Sequence, residues 1–377
     1  MKIAEISPYF YPHIGGVETH VHELARELAL RKHEVHIYTS LFLKRLEKEE
    51  MFPYYKLHRV KPMISLFTTP VMPKLKKELA KEDFDIIHAH SPPPLSEYFA
   101  LQAAKECGTP FVLTYHCDPE VSGYLGRVVV NLYQSTFGKK VVNQADAIIA
   151  TTRSYQETSR MLWNKKGIIV PNAVNAERFT PENDGSQLKK KLGLEGKFVV
   201  LFVGRLVPHK GIESLIYSSK HVPEDIHYVL IGTGKHEKHL KRLVVHLNVE
   251  KRVTFLKNIS HEELPLYYAF ADVFVLPSLS RLEAFGIVGL EAMASGLPVI
   301  LSGIPGVREV IEEGRQGFLS EPSNSKNIAE KILTLYKDPE MKKKMGAEGR
   351  KLVLEKYHWK KVADRIEELF FELVGEK

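Results

Sequence analysis

The stretch Phe198-Val-Val-Leu-Phe-Val-Gly-Arg-Leu-Val-Pro-His-Lys-Gly-Ile-Glu213 decides the fold. Its first six residues, Phe198–Val203, form an unbroken apolar run of strand length, the pattern of a strand covered on both faces. The run then gives way to a glycine-led loop that carries Arg205 and Lys210. Downstream, Tyr228–Ile231, Val253–Leu256, Val273–Leu276 and Pro298–Leu301 read as further strands with helical stretches between them. Strand and helix in strict alternation predict βα units and a parallel sheet.

The same alternation runs upstream. Lys2–Ser7 reads as a strand, followed by the loop Tyr9–Gly16 and a helix with Val21, Leu24, Ala25, Leu28 and Ala29 on one face. Strands follow at His33–Ser40, Phe84–His88, Phe111–Thr114, Ala145–Ala150 and Ile168–Val170. Between the halves, Pro171, Asn172, Asn175, Pro181, Asn183, Asp184 and Gly185 cluster and interrupt the pattern. A chain of 377 residues exceeds what one core serves. The expectation is an α/β protein of two Rossmann-like domains, residues 1–180 and 181–358, with parallel sheets facing across a cleft. A last helix, 359–377, shows Val362, Ile366, Leu369, Phe370 and Leu373 on one face and is free to pack on either domain.

Composition narrows the class. The chain is 44% hydrophobic and 26% charged, which excludes collagen-like, disordered and disulfide-scaffold proteins. Fifty-three basic against 46 acidic residues give +7 and favour anionic partners. Cys107 and Cys117 are too few for a cysteine zinc site or a disulfide framework, and both are expected to be buried thiols. Glu5, Pro8 and Pro12 interrupt the N-terminus where a signal peptide needs an apolar run, so a cytoplasmic location is expected.

The stretch from Pro277 to Pro298 carries the most chemistry. It leaves a strand, crosses a short loop and enters a helix near Phe285 or Gly286. The amides of Phe285, Gly286, Ile287 and Val288 at such a start have no helical partner and suit an anion, such as a nucleotide diphosphate. Glu283 stands before the helix and Glu291 inside it. A helical side chain leans toward the N-terminus, which lets Glu291 reach a group near that end. Arg205 supplies a fork for phosphate oxygens and Lys210 a point charge.

Other matches carry less. Asp83-Phe-Asp85 has the form of a short metal-holding acidic motif, yet it stands at the entry to a strand. His88-Ala-His90 lies on one side of a strand with no carboxylate nearby in sequence, which suggests polar lining rather than a metal site. Gly232-Thr-Gly-Lys235 lacks the spacing of a P-loop, and no dinucleotide fingerprint follows the first strand.

Taken together, these residues resemble glycosyltransferase family 4, retaining enzymes of the GT-B architecture. The resemblance rests on the E-x7-E of Glu283 and Glu291 with Phe285-Gly286 and Gly296-Leu-Pro298 beside it. It rests also on Gly204-Arg205 with Lys210-Gly211, Pro171-Asn172, Gly232-Thr-Gly234 and the loop Tyr11-Pro-His-Ile-Gly-Gly-Val-Glu18. That loop is similar to the one in phosphatidylinositol-modifying members. The resemblance implies transfer of a sugar from a nucleotide-diphosphate sugar to an acceptor hydroxyl with retention, giving an α-linked product. It implies that Arg205 and Lys210 hold the diphosphate, that Glu291 holds the ribose, and that Glu283 meets the sugar. Gly15 and Gly16 would admit the phosphates, with Gly232, Phe285, Gly286 and Ile287 completing the donor site. His116, in Thr114-Tyr-His-Cys-Asp118, matches the reaction-centre histidine; here Cys117 intervenes before the aspartate, which puts a role for Asp118 in doubt. No metal or other cofactor is expected, since fixed cations replace one, and no nucleic-acid partner.

A GT-B sugar-nucleotide epimerase or hydrolase is the alternative enzyme, and a two-domain sugar-binding protein the non-catalytic one. The acceptor is open: a glycan, a lipid or a small alcohol. Between Lys44 and Lys81 ten basic and four acidic residues, interleaved with Phe52, Tyr54, Tyr55 and Phe67, make a segment suited to peripheral contact with an anionic membrane.

Overall fold

The computed structural model describes residues 1–375 apart from 14, 44, 67, 68, 93 and 120–122. Ile14 of the first loop, Lys44 and Phe67 of the basic segment, and the last two residues of the terminal segment therefore lie outside the described residues. Among those described, the strands before Asn172 are β1 (Lys2–Ile6), β2 (Glu34–Ser40), β3 (Glu49–Met51), β4 (Lys56–Val60), β5 (Ile64–Leu66), β6 (Thr69–Val71), β7 (Ile86–Ser91), β8 (Phe111–Tyr115), β9 (Ala147–Ala150) and β10 (Ile168–Ile169). After it come β11 (Phe198–Val203), β12 (Ile226–Ile231), β13 (Val253–Leu256), β14 (Val273–Leu276), β15 (Val299–Ser302) and β16 (Gly317–Ser320).

Two sheets carry the fold. The first has the order β10-β9-β8-β7-β1-β2-β4-β3 and is parallel except for β3, which runs antiparallel to β4. The second, β13-β12-β11-β14-β15-β16, is parallel throughout. β11 and β12 are buried almost end to end, because crossover helices cover both faces of a parallel sheet. By contrast β3 is largely exposed and closes the edge of the first sheet. β5 and β6 form a separate hairpin outside both sheets, which the apolar-run reading of the sequence passed over.

The chain separates into Met1–Asn172 with Trp359–Lys377, and Ala173–His358. The division falls at 172/173 and not at 180/181. The Val174 amide donates to the Tyr357 carbonyl at 2.9 Å, and Val174, Ala176 and Phe179 are buried in the second unit's core. Residues 173–180 thus serve the second unit, although proline and asparagine make them look like a linker. β7 also begins two residues later than its apolar run, because the Asp85 carboxylate accepts the Lys2 amide at 2.6 Å and is held before the strand starts. Cys107 is exposed at the end of the helix Ser96–Cys107, and Cys117 is only partly covered, which corrects the expectation of two buried thiols.

The helix Trp359–Gly375 belongs to the first unit. Trp359, Val362, Ala363, Ile366, Leu369 and Phe370 bury one face, and it packs along the helix Gly16–Leu30. Arg31 reaches Asp364 at 2.8 Å and His33 reaches Glu367 at 2.6 Å. Phe370 is fully buried with its ring edge toward His88, centroids 5.4 Å apart. Phe370→Ala is expected to remove about 3–5 kcal/mol from the first unit, by lost transfer energy plus the cavity left behind. Urea unfolding checks this, and a loss below about 1 kcal/mol would show that the core does not need the helix.

Candidate active site

In the second sheet the chain builds outward through β11, β12 and β13, then returns to lay β14 on the other side of β11. Crossovers leave β11 and β14 toward opposite faces, so a crevice opens at their carboxyl ends. Both sequence motifs emerge there: Gly204–Gly211 follows β11 and Pro277–Gly286 follows β14. The loops are tied together, with the Leu279 amide donating to the His209 carbonyl at 2.8 Å.

Gly286 caps the helix Ile287–Ala294 at φ +84°, and a Cβ there would stand 2.7 Å from Leu276 Cδ2, so backbone conformation and packing both require glycine. The helix begins one to two residues later than the sequence suggests. The Gly289 amide turns back to the Gly286 carbonyl at 2.8 Å, leaving the Ile287 and Val288 amides at the open end. Phe285 is buried against Tyr357, so its backbone alone is available to a ligand. At the end of β11, a Cβ on Gly232 would run into the Gly204 carbonyl oxygen, which lets the β11 and β12 loops pass in contact.

The charges are arranged in a way the sequence does not show. Lys210 forms an ion pair with Glu283 Oε2, both side chains largely covered, and the Ser278 hydroxyl donates to the same oxygen at 3.2 Å. Arg205 is exposed. Burial, then the Lys210 charge, hold the His209 imidazole below its ordinary range. The fifth residue of the helix is Glu291, which keeps part of its surface open and accepts the Tyr268 hydroxyl at 2.7 Å. Burial pushes its carboxyl up to about 7, against the opposing pull of the Tyr268 bond and the Arg178 charge. Ser278 and Tyr268 have no signal in the local pattern; only the fold brings them to the glutamates.

The first sheet has the same topology, with β7 returning beside β1. Gly15 caps the helix Gly16–Leu30 at the carboxyl end of β1, in extended conformation. The Glu18 carboxylate lies against Gly15 and reaches His13 at 3.0 Å, so an anion drawn to this helix end meets a carboxylate already there. His116 follows β8 and is buried, its Nε2 3.1 Å from His90 Nδ1. Asp118 holds structure: it accepts the Tyr115 hydroxyl at 2.9 Å and the Ser159 hydroxyl at 2.6 Å. Glu5, which sequence spacing could not link to the histidines, contacts both His88 and His90. The reading of His88 and His90 as a pair without a carboxylate is therefore corrected. Register does this, since β1 and β7 place Glu5 opposite His88.

Among the described residues, three sets of side chains lie close enough to share an ion: His20, His90 and His116; Glu5, His88 and His90; and Glu213, His236 and His239. Asp83 and Asp85 are in none of them, and Asp85 sits at the amino end of β7, away from the carboxyl ends where ligands gather.

Residues 14–178 match the model of Glycosyltransferase Family 4 and residues 184–352 that of Glycosyl transferases group 1. The chain is 29% identical to the N-acetyl-alpha-D-glucosaminyl L-malate synthase of Bacillus anthracis, over 97% of this chain and 96% of that one. It is 27% identical to the GDP-mannose-dependent alpha-(1-6)-phosphatidylinositol monomannoside mannosyltransferase of Mycolicibacterium smegmatis, over 96% of each. The sucrose-phosphate synthase of Thermosynechococcus elongatus superposes with a TM-score of 0.84 at 26% identity over the whole of both chains. With two Rossmann-like parallel sheets and both family matches in agreement, the chain belongs to glycosyltransferase family 4 and is a hexosyltransferase of the GT-B fold.

Proposed function

We propose that the second unit binds a nucleoside-diphosphate sugar and that the enzyme transfers the sugar with retention to an acceptor hydroxyl, giving an α-glycoside. One observation carries this reading: Arg205, the Lys210–Glu283 pair and the start of the helix Ile287–Ala294 gather at the β11/β14 switch point, with Glu291 further along the same helix. Cations and helix amides suit a diphosphate, and a carboxylate suits a pair of ribose hydroxyls. Arg205, Lys210 and the helix start would stabilise the negative charge that develops on the leaving diphosphate. The leaving phosphate would take the acceptor's proton as the new bond forms on the face it vacates. His116, on the first unit, is the residue we assign to a substrate hydroxyl. No metal is needed on this reading, because fixed cations meet the diphosphate. The word alpha in the names of both curated relatives supports the stereochemistry proposed.

Those two names span a small hydroxy acid and a phosphoinositide as acceptors. A lipid acceptor is the reading we favour. In the basic segment Arg59 is buried on Glu50, and Lys76 and Lys81 pair with Glu106 and Glu78, so much of its charge is internally matched. Tyr55 is turned into the core. Outside these pairs Arg45, Lys48, Lys61, Lys74 and Lys77 stay exposed, with Met51 and the apolar hairpin residues Met63, Ile64 and Leu66. A second surface supports the reading more strongly. The helix Tyr124–Tyr133 leaves Tyr124 82% and Leu125 72% exposed, with Val128, Leu132 and Phe137 also open. Arg127, Lys139 and Lys140 accompany them, and residues 123–145 contain no acidic residue. An apolar face with basic flanks suits the interface of an anionic bilayer. Among the described residues no helix is long and apolar enough to cross a membrane.

Incubation with UDP-, GDP- and ADP-sugars and a lipid or alcohol acceptor, with chelator present, is expected to give one α-linked product. A β-linked product would overturn retention, and strict dependence on added Mg²⁺ or Mn²⁺ would overturn the metal-free reading. With its carboxyl near 7, Glu291 ionises across neutrality, and ribose hydroxyls donate best to the ionised form. Affinity for free nucleoside diphosphate should therefore strengthen from about pH 6 to about pH 8, and Glu291→Gln should weaken binding and remove that part of the rise. Calorimetry with unchanged affinity and slope in the variant would take Glu291 out of the donor site. Wild-type protein should co-sediment with phosphatidylglycerol vesicles and not with phosphatidylcholine ones, each nearby Lys or Arg adding about 1 kcal/mol. Leu125→Asp with Leu132→Asp should abolish sedimentation. Protein that ignores anionic vesicles at low salt would instead have a soluble acceptor.

A further inference from the structure

Glu5 lies on β1, inside the first sheet, and is fully buried. A lone carboxylate there would cost several kcal/mol, and both of its oxygens are engaged. His88 Nδ1 lies 3.1 Å from Oε1, and His90 Nε2 lies 2.8 Å from Oε2. The other nitrogen of His90, Nδ1, meets His116 Nε2 at 3.1 Å, and the second nitrogen of His88 meets the Thr114 hydroxyl at 2.7 Å. The His90 and His116 rings are within 19° of coplanar with centroids 5.3 Å apart. At that separation the two nitrogens point at each other along nearly one line. This is the geometry of a shared proton; lone pairs converging on a common ion would aim at a third point instead. His20 stands edge-on to both rings and completes the cluster.

The proton positions follow in sequence. A carboxylate only accepts, so His90 carries its hydrogen on Nε2. Burial holds the His90 imidazole well below its ordinary range, so that ring is neutral and its Nδ1 is a bare lone pair. His116 must then donate from Nε2. Burial keeps His116 neutral as well, so its single hydrogen is used and Nδ1 is an acceptor. Among the described residues that Nδ1 makes no hydrogen bond, and it stands just past β8 at the carboxyl edge of the sheet, where ligands of this topology bind.

We propose that Glu5 and His90 are positioning residues that lock His116 in the Nε2–H tautomer, so that it meets a substrate hydroxyl as a neutral acceptor through Nδ1. The meeting with substrate rests on the transfer reading above; the tautomer lock does not. A ring so held can orient an O–H group and cannot serve as a cation toward phosphate.

The test is long-range proton–nitrogen correlation on ¹⁵N-histidine-labelled full-length protein without substrate, with His116 assigned by its loss in His116→Asn. The expected spectrum at neutral pH shows a protonated Nε2 and a bare Nδ1. An Nδ1–H ring, an imidazolium, or stoichiometric bound zinc on His90 and His116 would overturn the proposal. His90→Phe and Glu5→Leu should each release the ring into a tautomer mixture and lower kcat ~10-fold or more, with the donor KM within about twofold. Thr114→Val, which cuts only the bond to His88, should leave the His116 tautomer as it is. A locked His116 in His90→Phe or in Glu5→Leu would sink the relay. A locked ring in wild-type protein that is released in both variants, in an enzyme that transfers no sugar from any donor, would uphold the lock while removing the transfer reading.

Discussion

A parallel sheet built outward from its first strand has to send the chain back to that strand before it can grow the other way. This return governs the molecule. It puts β14 beside β11 in the second sheet and β7 beside β1 in the first, and each pairing leaves a gap at the carboxyl ends. Residues more than seventy positions apart, such as Lys210 and Glu283, become neighbours for this reason alone. The glycines follow from the same crowding: Gly286 turns a loop into a helix against Leu276, and Gly232 lets one loop slide past another.

Within the gap, electrostatics is held in balance before any ligand arrives. Lys210 is matched by Glu283, itself held by Ser278, while Arg205 stays exposed. Glu291 is tuned differently. Burial disfavours its charge and the Tyr268 hydroxyl partly restores it, so the carboxyl is poised near neutrality. The two glutamates of one sequence motif thus have different environments, one paired with a cation and one with a phenol.

Much of this was legible in the sequence, for identifiable reasons. Buried parallel strands read as apolar runs, and β11, β13 and β14 begin and end where those runs do. The motifs after β11 and β14 were legible because they are local, each a loop and the start of the element after it. What escaped is long-range or two-sided. Glu5 looks like an interruption of a strand until register sets it opposite His88, 83 residues away. The hairpin β5–β6 and the exposed helix Tyr124–Tyr133 have apolar residues that face outward, so a pattern that equates apolar with buried misplaces them. The 172/173 boundary is marked by a hydrogen bond from the Val174 amide to the Tyr357 carbonyl, which no linker composition announces.

The course of the chain has a consequence for biosynthesis. The first unit opens with β1 yet needs the helix from Trp359, whose Phe370 packs beside His88 in that unit's interior. A ribosome delivers this helix only after the whole of the second unit. The second unit, continuous from Ala173 to His358, can complete its core while the first still waits with the Gly16–Leu30 helix uncovered. The half that is translated first is therefore finished second, and during that interval its apolar surface is what a chaperone would find.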